Sequence, residues 1–170
     1  MISKTCWLPK QELFDDYEND WKKYELALYD IFKSDFIDSH PSFEGKRVNI
    51  RKHPMEYDKE EAFFHVTCQD YLKDGERVPD LRRCERIRWV KAFIENYNCE
   101  ASLCSECEGI KVWSEPYKST SRVHILLEVE KYMVVVERRE SYCLLVTAFY
   151  FDKYHTLEKK LKHYEKYKDK

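Results

Sequence analysis

A chain of 170 residues with 43% apolar and 15% aromatic content is the size of one domain, and that composition excludes intrinsic disorder although 36% of the residues are charged. No apolar run reaches the ~18 residues of a membrane span, and residues 1–20 turn acidic where a secretion signal would be apolar, so a cytoplasmic protein with no membrane partner is expected. The net charge of −2 hides a contrast: residues 1–45 carry five Lys against ten Asp and Glu, residues 82–91 four Arg and one Lys against one Glu, and residues 153–170 seven Lys against three acids. Basic patches on a near-neutral chain point to an anionic partner.

In chain order, Phe14, Tyr17, Trp21, Tyr24, Leu28 and Ile31 recur at three- and four-residue spacing and predict a helix from Gln11 to about Lys33. The Pro and Gly of HPSFEG mark a turn, after which KRVNIRKHP alternates as a strand ended by Pro54. AFFHVT, residues 62–67, reads as a short strand or buried loop, with a helix as the alternative. RVPDLRRCERIRW opens a helix from about Pro79 to Tyr97, with Asp80 suited to its free amides. A cysteine-rich loop follows.

GIKVW, RVHILLEV, KYMVVVER and YCLLVTAFYF are then four β-rich runs, and the last three are too close together for anything but antiparallel returns. An amphipathic helix from about Thr156 ends the chain. The expected fold class is α+β, with N-terminal helices packed on a C-terminal antiparallel β-meander and a C-terminal helix. Residues 1–45 form an acidic helical segment and 46–170 the α+β domain, within one compact unit. The sheet face away from the helices is expected to be free for a ligand.

On a continuous helix from Pro79, Arg83 and Arg86 share the apolar face of Ile87, Val90 and Ile94, Arg82 borders it, and Arg88 points to solvent. Guanidiniums on a dry face need partners: structural carboxylates such as Asp80, Glu85 or Glu137, or a phosphodiester in a cleft. Lys91 extends the basic patch and His53 lies in a basic strand; with Arg82 they are candidate phosphate contacts. His65 has the most apolar surroundings of the histidines and His124 the next, and histidine is the side chain best suited to proton transfer near neutral pH. Thr147 and Tyr150 near the end of a central strand, and Arg138 and Arg139 at the preceding turn, complete the polar set, with core packing and turn propensity as the plainer explanations.

Cys99, Cys104 and Cys107 have the spacing C-x4-C-x2-C. They are candidates for a structural zinc whose fourth ligand would be Cys84, Cys68 or a histidine. No Walker loop, GxGxxG, GxSxG or HExxH is present, and three glycines leave little means to build a backbone phosphate cradle.

FFHVTC, ERVPDLRRCERIRWVKAFIE, IKVWSE and YMVVVERRESYCLLVTAFYF, in that order over residues 46–165, resemble the phage and mobile-element branch of the barnase-EndoU-colicin-RelE-like ribonucleases. That resemblance implies a metal-independent endoribonuclease of toxin or phage-defence type, which cuts RNA by attack of its own 2′-hydroxyl and leaves a 2′,3′-cyclic phosphate. It implies His65 as general base or acid, Arg83 and Arg86 on the phosphate, Arg138 or Arg139 adding charge, and Thr147 and Tyr150 orienting the phosphate or donating a proton. RNA is the implied partner, an antitoxin or other protein a second one, and no cofactor serves catalysis. The rival expectation is a non-catalytic RNA-binding or protein-interaction module from a mobile element, with zinc pinning the cysteine loop.

Overall fold

The apolar stripe of the first forty residues runs across a break in the helix that it predicts. A 3₁₀ turn at Phe14–Tyr17 ends in Glu18 and Asn19 at φ 58° and 54°, and α1 (Trp21–Lys33) starts afresh where the Asp20 carboxylate accepts from Lys22 N and Lys23 N. Phe14, Tyr17 and Trp21 nonetheless all pack on Tyr24, because side chains three apart stay on one side in either kind of turn. The computed structural model describes residues 6–69, 77–99 and 109–170.

The segment before α1 is built into the body of the protein. Glu12 N donates to Glu85 O, Tyr24 OH donates to Glu12 O, Trp89 Nε1 donates to Pro9 O, and Trp7 meets Phe93 edge-on. Arg88, expected to point freely into solvent, is tied to the Glu12 carboxylate 76 residues away. α1 continues through a π turn at Ser34–Asp38 and buries Tyr24, Leu28, Ile31, Phe32 and Phe36 in the main core.

AFFHVT is helical. α2 (Glu61–Thr67) buries Ala62, Phe63, Phe64, Val66 and Thr67, so its polar face shrinks to Glu61 and His65, too little for a period to be read. The arginine-rich helix is two: α3 (Leu81–Glu85), capped by Asp80 on Arg82 N and Arg83 N, and α4 (Ile87–Glu95), with Arg86 at φ −105°, ψ 20° between them.

Six strands are ordered β1-β2-β6-β5-β4-β3: β1 (Ser42–Phe43), β2 (Lys46–Asn49), β3 (Lys111–Tyr117), β4 (Thr120–Leu127), β5 (Tyr132–Arg138) and β6 (Cys143–Tyr150). β3 to β6 pair antiparallel in sequence order, and β2 runs parallel to the first residues of β6. The chain is thus an α+β protein. From Leu145 onward the edge of β6 is free of β2, and α2 packs there instead.

A bulge interrupts β6: Val135 pairs with Thr147 and Val136 with Leu145, leaving Val146 over. Ala148 and Tyr150 therefore face the helices with Val134 and Tyr132, while Thr147 and Phe149 face the other way with Val135 and Met133.

The face away from α1–α4 is not wholly free for a ligand. α5 (Tyr154–Tyr167) lays Leu157, Leu161 and Tyr164 on Trp113, Leu126, Met133 and Phe151, and so covers part of it. No helix among the described residues is long and apolar enough to cross a membrane.

Under α5, His124 stacks on Trp113 with centroids 5.0 Å apart and the rings 10° from parallel. Burial pushes its pKa down from 6.5 to about 4, against the pull of Glu115 and with Lys160, His163 and Arg122 also opposing its charge. Glu115 itself accepts from Trp113 Nε1 at 2.7 Å and lies 2.8 Å from His163 Nδ1 of α5. With its folded pKa below its unfolded one, His124 takes up its proton on unfolding, so its contribution is complete above pH 6.5 and is lost as pH falls towards 4. His124→Phe, which keeps the stack, is expected to lose about 2 kcal/mol less stability than the wild type between pH 7 and pH 5 in urea titrations. An unchanged pH dependence would refute this role.

Candidate active site

A cleft of about 360 Å³ opens on the part of the second sheet face that α5 leaves bare. Arg122 of β4 and Val146, Thr147 and Phe149 of β6 form its floor and far wall, while His65 of α2, Arg83 of α3 and Arg51 close the near side. Arg122 belongs to this face because it alternates in register with His124 and Leu126, which lie beneath α5.

α2 places His65 through two contacts. Glu61, one turn earlier, holds Nε2 at 3.1 Å, and the His65 carbonyl accepts from Thr147 Oγ1 at 3.2 Å and from Arg83 Nη1 at 3.0 Å. A carboxylate only accepts, so the proton sits on Nε2 and the Nδ1 lone pair is left as the acceptor, the arrangement of an imidazole held as a base. The Thr147 hydroxyl proton is committed to the carbonyl, which makes Thr147 a strut between β6 and α2.

Arg83 is partly a strut too. Nη1 also donates to Cys68 O at 2.6 Å, Nε lies 3.6 Å from Asp80 Oδ2 beyond hydrogen-bond reach, and the guanidinium stands 5.7 Å from the Phe149 ring centroid. Arg122 is laid on the Tyr117 ring at 3.4 Å, with Nε 3.6 Å from Glu137 Oε2. Nε of Arg83 and of Arg122 are both buried with no hydrogen-bond partner among the described residues. Arg51 forms no ion pair with a described residue, and no carboxylate is among the cleft's lining residues. Three guanidiniums, an oriented imidazole and an aromatic ring are a donor set for an anion carrying a planar group.

The expected site residues divide between the two faces of the sheet. His65, Arg83 and Thr147 meet at the cleft, and Arg139 stands behind it, 3.0 Å from the Glu137 carboxylate that also faces Arg122. Arg86 does not reach the cleft. It is buried on the helix side, donates Nη1 to Arg82 O, lies 3.6 Å from Glu85, and is sandwiched between Tyr150 at 4.5 Å and Trp89 at 5.1 Å. Tyr150 is the floor of that stack, with Arg82 5.7 Å above it.

Arg138 points to the helix side as well, where it grips Glu44 at 2.7 and 3.1 Å and donates to Ser114 Oγ at 2.6 Å. Lys91 lines a different hollow with Asp35 and Glu95, and His53 is exposed outside the cleft.

Glu61, Arg51, Arg122 and Phe149 were missed by the sequence reading. The Glu61–His65 pair has helical spacing and becomes visible once residues 61–67 are taken as a helix. Arg122 is indicated only by strand register, and nothing local distinguishes Arg51 from its basic neighbours.

Cys104 and Cys107 lie outside the described residues. Cys99 is a free thiol there, and no group of three or more His, Cys, Asp or Glu that could hold a metal occurs among the described residues. Cys68 and Cys84 are core thiols: burial pushes both pKa values up, and Cys84 Sγ donates to Thr67 O.

No family model, no curated protein and no solved structure matches the chain.

Proposed function

We propose that this chain is an endoribonuclease that cuts RNA through the RNA's own 2′-hydroxyl without calling on a metal. The observation that carries this reading is His65, oriented by Glu61 and facing a cleft with Arg51, Arg83 and Arg122. His65 Nδ1 removes the 2′-hydroxyl proton, the 2′-oxygen bonds to phosphorus, and the arginines stabilise the charge of the pentavalent phosphate. The P–O5′ bond then breaks, a water gives a proton to the 5′-oxygen and takes up the one held on His65, and a 2′,3′-cyclic phosphate remains. Phe149 offers a surface on which a base beside the scissile bond can stack.

The resemblance to phage and mobile-element ribonucleases supports the same chemistry, and the toxin or phage-defence setting, with an antitoxin or other protein partner, rests on that resemblance alone. A second reading, an RNA-binding module without catalysis, is favoured by one observation: Arg83 spends Nη1 on two backbone carbonyls. Incubation of the purified protein with end-labelled RNA in EDTA decides between them. Fragments ending in cyclic phosphate are the expected result; retention of intact RNA supports the binding module, and neither outcome overturns both.

A further inference from the structure

A second pocket, also of about 360 Å³, lies between the π turn and β2. His40, Arg47, Asn49 and Lys52 supply its polar lining over Phe36, Ile37 and Ile50, and no carboxylate is among the lining residues. Arg47 and Lys52 form no ion pair with a described residue; the Arg47 guanidinium meets His40 Nε2 instead. With Nε2 accepting from Arg47, the His40 proton sits on Nδ1, which is buried with no hydrogen-bond partner among the described residues. The pocket thus gathers an imidazole N–H, a guanidinium, an amide and an ammonium with no counter-charge, a combination that an anion completes.

The two pockets meet along one segment. Arg51 lines the first and Lys52 the second, and their carbonyls accept from Ala62 N and Glu61 N at 3.0 and 3.2 Å, so this stretch is pinned to the start of the helix that carries His65. Between Lys46 and His53 the chain holds five basic or histidine side chains and no acid.

We infer that the His40–Arg47–Asn49–Lys52 pocket is a phosphate subsite for the flanking backbone of the same RNA strand whose scissile phosphate lies in the His65 cleft. The inference rests on the ribonuclease reading of that cleft. It makes the substrate a single strand several nucleotides long, held at two anchored phosphates, rather than a dinucleotide.

The test uses 2′-O-methyl oligonucleotides, which bind but cannot supply the attacking hydroxyl, in fluorescence anisotropy across a salt series. Wild-type affinity should rise from dinucleotide to decanucleotide. Arg47→Ala/Lys52→Ala should lose most of that rise, on the order of tenfold, and its log K against log salt slope should be shallower by about 1.4, the single-strand value for two lost phosphate contacts. Both side chains are exposed, and Lys52→Ala alone serves should the double variant fold poorly. A double variant with the wild-type length dependence and salt slope overturns the subsite and leaves the cleft reading standing. A wild type that binds the long oligomer through this pocket but leaves unmodified RNA intact supports the subsite and overturns the cleavage. Failure to bind RNA of any length overturns both.

Discussion

His65→Ala is expected to slow RNA cleavage by roughly a hundredfold or more, the usual worth of a positioned general base, while RNA affinity stays near that of the wild type. Affinity survives because the cations do the holding, and Arg83 binds the His65 backbone carbonyl, which alanine retains. The side chain is partly exposed, so little stability should be lost with it. Glu61→Gln should fall between wild type and His65→Ala, since an amide oxygen still accepts from Nε2 but no longer stabilises the imidazolium that forms when Nδ1 takes its proton. Arg86→Ala supplies the contrast. It opens a buried stack between Tyr150 and Trp89, so it should lower the melting temperature without altering the rate per folded molecule. Single-turnover cleavage of labelled RNA, with each variant's fold checked by thermal melting, separates these cases. Wild-type cleavage by His65→Ala would remove His65 from the chemistry and leave the arginines to carry it.

The elements that proved legible are those with local causes. Asp80 and the β-rich runs of the last third are signals that work within a few residues: a carboxylate next to free amides, and branched and aromatic side chains between short turns. What stayed hidden was set at long range. Phe14 and Tyr17 keep the helical stripe, yet two residues at positive φ break the helix between them and Trp21, because Asp20 caps better than it continues a turn. α2 shows no period because almost every side chain in it is buried, and so the Glu61–His65 pair passed unnoticed.

Reading Arg83 and Arg86 on one wheel assumed an unbroken helix; the break at Arg86 sends one to the cleft and the other beneath Tyr150. Arg138 and Arg139 are neighbours in sequence, but strand alternation gives one to Glu44 on the helix side and the other to Glu137 on the cleft side. The cleft is assembled from α2, α3, β4, β6 and the loop before α2, and no window of sequence contains more than a fraction of it.

Glu137→Ala is expected to cost about 1–3 kcal/mol, the range for losing a buried charged hydrogen-bond partner whose arginines, 25% and 37% exposed, keep access to water, and at this chain length that is a fall of about 5 °C in melting temperature. Glu137 is only 3% exposed. Its carboxylate accepts from Thr120 Oγ1 at 2.9 Å and sits 3.6 Å from Arg122 Nε and 3.0 Å from Arg139 Nε. Removal leaves the guanidiniums of Arg122 and Arg139 without the carboxylate they share, and the Thr120 hydroxyl without its side-chain acceptor. Glu137→Gln keeps the shape and the Thr120 bond and should cost less, yet it withdraws the charge that steadies Arg122 at the cleft wall. If Arg122 works on the phosphate, Glu137→Gln lowers cleavage by more than its loss of stability explains at a temperature where both proteins are fully folded. Should the glutamine variant melt lower and cleave normally, Glu137 is a structural counter-ion and Arg122 only a wall of the cleft. A melting temperature unchanged in Glu137→Ala would mean that the two arginines find solvent as readily as they found the carboxylate.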